Sequence, residues 1–278
     1  MLRPGDRVAL VACSDGLTKR DEPELARLHA ALADLGLAVT ESPLLFDDRD
    51  VAARAAVLEA FGRDPGIAAV LDVSGGDLAG GVLTHLDLEA AARPPFFGYS
   101  DLTTLANALH ARTGRTTHLW SPRNLVRSDG AAQVARFRAS VLGDADDLFR
   151  LRTVMVRGEA MAGPMIGGNL RCLLKLAGTP HLPEPRGAVL ALESLGAGAR
   201  AVQAGLHQLR QMGVLDVVAG VLLGTFTALE REQGEDAAAR IALEVVPPDV
   251  PVAVTRDFGH GPDSRALRLG AHWDSRTH

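Results

Sequence analysis

Ser100 is the residue whose neighbours best equip it to act as a nucleophile. It lies within residues 93–105, Arg-Pro-Pro-Phe-Phe-Gly-Tyr-Ser-Asp-Leu-Thr-Thr-Leu. Phe96 and Phe97 read as the end of a buried strand, Gly98 permits a tight turn, and Thr103, Thr104, Leu105 and Leu109 open a helical pattern. A serine on such a strand-to-helix elbow is held out of the sheet, beside free backbone N–H groups and the positive end of a helix dipole. That position suits acyl transfer, in which the hydroxyl attacks a carbonyl and the next backbone amide, that of Asp101, stabilises the oxyanion. The motif departs from Gly-x-Ser-x-Gly, because Asp101 follows the serine and Leu102 stands where the second glycine would be. An ordinary helix N-cap is the other reading of the same serine.

The remaining reactive side chains point elsewhere. Two cysteines, Cys13 and Cys172, supply neither a disulfide framework nor a zinc site, and both read as small buried residues. The nine histidines show no His-x-x-x-His or comparable ligand spacing, so no metal is expected; no organic cofactor is called for either. His29, His85, His110 and His207 fall in or beside helical patterns, and His278 is the last residue; none is expected to have a role. Net charge is −5 over 278 residues, which gives no basic footprint for nucleic acid. The longest apolar runs, such as residues 217–223, fall far short of the roughly 20 residues that span a bilayer. The first residues lack the apolar core of a signal peptide, so a cytoplasmic protein without membrane partners is expected. At 47% hydrophobic, the chain can bury a sizeable core.

The elements that must position Ser100 follow in order. Residues 7–12, 37–40, 67–73 and 96–97 read as strands, and residues 23–35, 51–61 and 82–86 as helices, with Gly36 and Gly62 as helix-end signals. This alternation indicates α/β architecture, with an open parallel sheet whose ligands collect beyond the carboxyl ends of its strands. The Ser74-Gly75-Gly76-Asp77 loop and the Ser100 elbow both follow strands, so both belong on that rim. From about residue 128 the character changes. A helix over 131–141 and an acidic turn at 144–147 precede short strands at 151–156, 188–193, 217–223 and 252–255, with helices at 169–176 and 200–212 between them. The last strands, near 267–269, are expected to close a smaller β-rich C-terminal domain with helices. The division expected is an N-terminal α/β domain over residues 1–135 and a C-terminal domain over 150–278.

Several motifs keep a recognisable order. Leu2-x-Pro4-Gly5-Asp6, Ser74-Gly75-Gly76 and Gly98-Tyr99-Ser100-Asp101-Leu102 come first. Gly167-Gly168-Asn169-Leu170, Gly178-Thr179-Pro180 and Leu190-Ala191-Leu192-Glu193 follow, and then residues 220–226 and Phe258-Gly259-His260-Gly261. The chain thus resembles the L,D-carboxypeptidases of the S66 serine peptidase family, which also contains the microcin C immunity peptidases. The resemblance implies a catalytic triad of Ser100 as nucleophile, Glu193 as acid and His260 as base, set between the two domains. The residue types suit those roles, since a hydroxyl needs a base and the base needs a carboxylate to fix its tautomer. Asp101 N–H and the backbone of Gly75 and Gly76 are the expected oxyanion donors. The implied reaction releases terminal D-alanine from murein tetrapeptide through an acyl-enzyme, in a protein that is commonly a homodimer.

Two departures from the family pattern bear on substrate choice. Murein-recycling members usually carry Arg-Gly-Gly-Tyr-Gly where this chain has Ser74-Gly75-Gly76-Asp77-Leu78, and a His-Gly-Pro-like segment where it has residues 117–122. Asp77, His118 and Trp120 are therefore candidates to contact substrate. The second reading within enzymes is a microcin C immunity-type peptidase that cleaves aminoacyl-nucleotide conjugates, which a base-stacking aromatic in the cleft would favour. From a different class, the chain could be a small-ligand-binding α/β protein without catalysis.

Overall fold

The computed structural model describes residues 2–47 and 49–277, so the expectation for His278 lies outside the described residues. The first half contributes β1 (Arg7–Val11), β2 (Ala38–Glu41), β3 (Ile67–Asp72), β4 (Phe96–Gly98) and β5 (Thr117–Leu119). The second half contributes β6 (Thr153–Arg157), β7 (Ala162–Asn169), β8 (Val189–Ser194), β9 (Gly220–Phe226), β10 (Val252–Thr255), β11 (Leu267–Leu269) and β12 (His272–Asp274). They form two six-stranded sheets, ordered β11-β5-β4-β3-β1-β2 and β12-β7-β8-β9-β10-β6. Strands β1 to β5 pair in parallel, as do β7 to β10. The antiparallel strands β11, β12 and β6 sit at sheet edges. The fold is therefore α/β throughout, with helices around both sheets.

Parallel strands need crossovers and are covered on both faces, which explains their apolar runs. Every residue of β8 is buried, Val-Leu-Ala-Leu-Glu-Ser, so Glu193 is carried into the interior behind four apolar residues. On the second sheet, the helices Ala199–Gln211 and Ala237–Val245 bury Val202, Leu206, Leu209, Ala242 and Val245 against Leu190, Leu192 and Val221. Cys13 and Cys172 are both buried and unbonded, as their composition suggests. Among the described residues, no helix is long and apolar enough to cross a membrane.

Five elements differ from the sequence reading in ways that bear on the fold. The strand at Leu267–Leu269 does not close the second sheet. It pairs antiparallel with β5, Leu267 opposite Leu119 and Leu269 opposite Thr117, and so covers the edge of the first sheet. Its two leucines are buried there with Arg268 between them, which is the alternation expected of a half-covered edge. Strand β7 was not expected, because Ala-Gly-Pro-Met-Ile-Gly-Gly-Asn is poor in β-branched residues. The helix Thr227–Gln233 and the one that follows it were also not expected. Finally, the helix Val51–Arg63 runs through Gly62 and does not stop there; the Ala90 carbonyl occupies the space a Cβ at that position would need.

The sheets meet along the helix Leu102–Thr113 that follows the elbow. Asn107 exchanges hydrogen bonds with the backbone of Gly167, at 2.8 and 3.0 Å. Thr103 Oγ1 accepts from Asn169 N at 3.0 Å, and Thr104 Oγ1 donates to the Cys172 carbonyl at 2.9 Å. Gly168 permits this approach: its φ is +133°, and a Cβ there would sit 2.5 Å from Leu119 and 2.6 Å from Thr103 Oγ1. Gly168→Ala is expected to lower stability by about 3 kcal/mol, from strain plus overpacking. Gly178→Ala, at φ +74° with open space around it, serves as control and should cost only about 1 kcal/mol. Equal midpoints for the two variants in urea denaturation would show that the seam tolerates a side chain.

Candidate active site

Ser100 follows β4 and precedes the helix Leu102–Thr113, and its φ of +60° is the only positive φ of a non-glycine among the described residues. A left-handed serine costs on the order of 1 kcal/mol, and the surrounding contacts must hold it there. The next side chain supplies several of them. Asp101 is fully buried; its carboxylate accepts from Ser14 Oγ at 2.7 Å and Ala79 N at 2.9 Å, and pairs with Lys175 Nζ. Three separate segments are thereby tied to the elbow.

Ser100 Oγ does not cap the helix. It lies 3.1 Å from His260 Nε2, and His260 Nδ1 lies 2.6 Å from Glu193 Oε2. The other oxygen of Glu193 accepts from Asn169 Nδ2 at 2.9 Å, and Asn169 Oδ1 accepts from Cys172 N, so the Asn169 amide is committed at both ends. The His260 ring also packs edge-on against Tyr99, with centroids 4.9 Å apart. Burial and the neighbouring Glu193 push the Tyr99 phenol well above its ordinary pKa, so the ring stays neutral. The three residues named for a triad therefore form one hydrogen-bonded chain, drawn from the elbow after β4, the end of β8 and the loop after β10.

The backbone of Gly75 and Gly76 runs beside the serine: a Cβ built on Gly75 would lie 3.8 Å from Ser100 Cβ. The N–H groups of Gly75, Gly76 and Asp101 donate to no protein acceptor among the described residues. Asp15 holds the loop, accepting from Asp77 N at 2.9 Å and donating its own N–H to the Gly75 carbonyl at 3.2 Å.

Two cavities open on either side of Ser100. One, about 340 Å³, is lined by Gly75, Trp120, Arg123, Arg127, His260 and Arg265 among others. The second, about 1000 Å³, is lined by Asp77, Asn169, Leu170, Arg171, Lys175 and Gln208 among others. Asp77 is exposed, and Lys175 and Arg171 hold its carboxyl below the usual range. Trp120 is among the residues lining the smaller cavity. It is buried, lies nearly parallel to Phe137, and donates Nε1–H to the Ser264 carbonyl at 3.2 Å. His118 lines neither cavity. It stacks on Phe97 at 4.2 Å within the first sheet, and burial pushes its pKa down to about 4. Its place opposite Arg268 in the β5–β11 pairing explains why it cannot reach the cleft.

The sequence reading assigned no role to Asn169, Ser14, Lys175, Arg171 or the arginines. Asn169 stood inside a quoted motif and was the one most open to discovery, since a buried carboxylate on β8 needs a second donor. Asn169→Ala is expected to cost about 2 kcal/mol, from the lost N-cap and a carboxylate left with one partner. It should also slow phosphonylation of Ser100 by a fluorophosphonate about tenfold, part of what a positioned base supplies. An unchanged labelling rate would mean that Glu193 and His260 hold their places without it.

These features define a class: a two-sheet α/β protein whose serine, histidine and glutamate meet in one chain of hydrogen bonds. Residues 8–119 match the LD-carboxypeptidase N-terminal domain of family S66, and residues 162–274 match its C-terminal domain. A Streptomyces coelicolor protein with a provisional carboxypeptidase name is 34% identical over 96% of this chain and 89% of the relative. The murein tetrapeptide carboxypeptidase of Pseudomonas aeruginosa is 30% identical over 74% of this chain and 71% of its own. The chain belongs to the LD-carboxypeptidase family, peptidase family S66. Its fold is also that of MccF in complex with glutamyl sulfamoyl guanosine, with a TM-score of 0.88 at 19% identity over 98% of this chain and 93% of that one. An MccF-like protein from Bacillus anthracis superposes with a TM-score of 0.84 at 23% identity, over 98% of this chain and 94% of that one.

Proposed function

We propose that this protein is a serine carboxypeptidase that hydrolyses the amide between an L-centre and a terminal D-amino acid, with murein tetrapeptide as substrate. The observation that carries the reading is the continuous path from Glu193 through His260 to Ser100 Oγ on a strained elbow. Ser100 Oγ attacks the scissile carbonyl while His260 Nε2 takes its proton, and Glu193 fixes the ring and stabilises the imidazolium. The tetrahedral oxyanion is held by the unengaged N–H groups of Asp101 and the Gly75–Gly76 loop. The C–N bond then breaks, His260 returns the proton to the departing D-alanine nitrogen, and water hydrolyses the Ser100 ester by the same route reversed. The residues of this chain suffice for each step.

Murein peptide is favoured over an aminoacyl nucleotide because the cavity beside His260 offers no exposed ring for a base: its largest aromatic, Trp120, is buried against Phe137. The Pseudomonas aeruginosa relative, named for murein tetrapeptide, supports the same choice. A cytoplasmic location and a homodimeric state complete the reading, the second on family likeness alone.

The test is D-alanine release from murein tetrapeptide, followed by mass spectrometry. Ser100→Ala should lose roughly 10³–10⁶ in kcat, and Glu193→Gln about 10³–10⁴ because the histidine takes the wrong tautomer. Both should keep the wild-type circular dichroism spectrum. Wild-type turnover in either variant removes that residue from the mechanism, and no release by any of the three proteins moves the search to aminoacyl-nucleotide conjugates.

A further inference from the structure

The two cavities beside Ser100 are not equivalent, and the acid–base chemistry tells them apart. In acyl transfer the proton taken from the serine goes to the leaving nitrogen, so the leaving group must lie within reach of the histidine. The cavity of about 340 Å³ is walled by Gly259, His260 and Gly261; the cavity of about 1000 Å³ has Ser100 in its wall but not His260. The smaller cavity is thus the leaving-group side, sized for one small residue. The larger one, with Leu170, Leu174 and Arg171 in its wall, faces the acyl portion of a peptide.

The ionisable groups lining the leaving-group side are three arginines, His260 and the neutral Tyr99 phenol, with no carboxylate among them. The acids that pair with these arginines stand behind them, and leave donors unused. Arg123 gives Nη2 to Asp21 and Glu24. Arg127 gives Nε to Glu24 at 3.0 Å and Nη1 to Asn124 at 3.5 Å, which leaves Nη2 without a protein acceptor among the described residues. Arg265 is the least compensated. Its Nε stands 3.6 Å from Asp257, whose carboxylate is already engaged by Arg152, with Arg152 Nε to Oδ2 at 3.0 Å and Nη2 to Oδ1 at 2.5 Å. Its Nη1 goes to the Asp147 carbonyl. Burial and the nearby Arg136 and Arg152 destabilise its cation, while Asp257 and Asp147 oppose them. A pocket of partly desolvated guanidiniums with spare donors is built for a carboxylate.

We propose that this cavity is the leaving-group subsite and that Arg127 and Arg265 bind the terminal carboxylate of the departing amino acid, which confines cleavage to the last residue of a peptide. The inference rests on the serine carboxypeptidase reading above. Arg123 is more deeply tied to Asp21 and Glu24 and braces the wall behind them.

The experiment compares kcat/KM for two substrates, murein tetrapeptide and the same peptide ending in D-alaninamide. The wild type should prefer the acid by about 100-fold or more, since a site built for a polar group rejects an analogue that lacks it. Arg127→Gln and Arg265→Gln should each raise KM for the acid at least about tenfold with little change in kcat, and narrow the acid-to-amide ratio. Arg265→Lys should recover part of the preference, which a merely structural role would not predict. Equal cleavage of acid and amide by the wild type overturns the inference and leaves the serine mechanism standing, as does an unchanged KM in both glutamine variants. Cleavage of neither substrate by the wild type overturns the carboxypeptidase reading and takes the subsite with it.

Discussion

Four hydrogen bonds from one helix hold the candidate site together. Thr103, Thr104 and Asn107 on the helix Leu102–Thr113 reach across to Gly167, Asn169 and Cys172. The serine belongs to the first sheet and its acid to the second, so a contact of 3.1 Å between Ser100 and His260 can persist only if the sheets cannot slide. The seam serves that purpose, and it does so with buried polar groups whose geometry is far more specific than apolar contact. The chain end adds a second tie. After the His260 loop it gives β11 to the first sheet and β12 to the second.

Two buried carboxylates lie at the centre, and their environments differ. Asp101 is surrounded by a hydroxyl, a backbone amide and an ammonium, so its charge is balanced where it stands. Glu193 has the Asn169 amide and the His260 ring as its partners. A buried carboxylate is costly unless its oxygens are hydrogen-bonded, and here each oxygen has one such partner. The partners of Asp101 thus fix a structure, while Glu193 orients the His260 ring toward Ser100. The same contrast separates the two cavities: Asp77 neutralises the cations of the larger one, whereas the arginines of the smaller one keep donors to spare.

Local sequence was sufficient where the physics is local. The Ser100 elbow could be read from Phe-Phe-Gly-Tyr-Ser followed by a helical pattern, and the parallel first sheet from its regular apolar runs. What escaped was set by distant partners. Strand β7 owes its place to β8 and β12 rather than to β propensity, and Leu267–Leu269 looked like a strand without indicating which sheet it joined. His118 and Trp120 have types suited to a cleft, but period-two alternation and packing against Phe97 and Phe137 turn them inward. Glu193 and His260 drew their roles from motif order alone, since neither carries a local sign of the other 67 residues away. The arginine-lined wall joins residues 123, 127 and 265, a separation that no spacing rule addresses.

The account stands or falls on Ser100 as the attacking atom. The most direct measurement is peptide mapping of enzyme treated to completion with a fluorophosphonate, paired with its residual release of D-alanine from murein tetrapeptide. The account predicts one phosphonyl group, on Ser100, and release abolished in proportion to its occupancy. Release that persists at full occupancy of Ser100, or inactivation that maps to another residue, would contradict it.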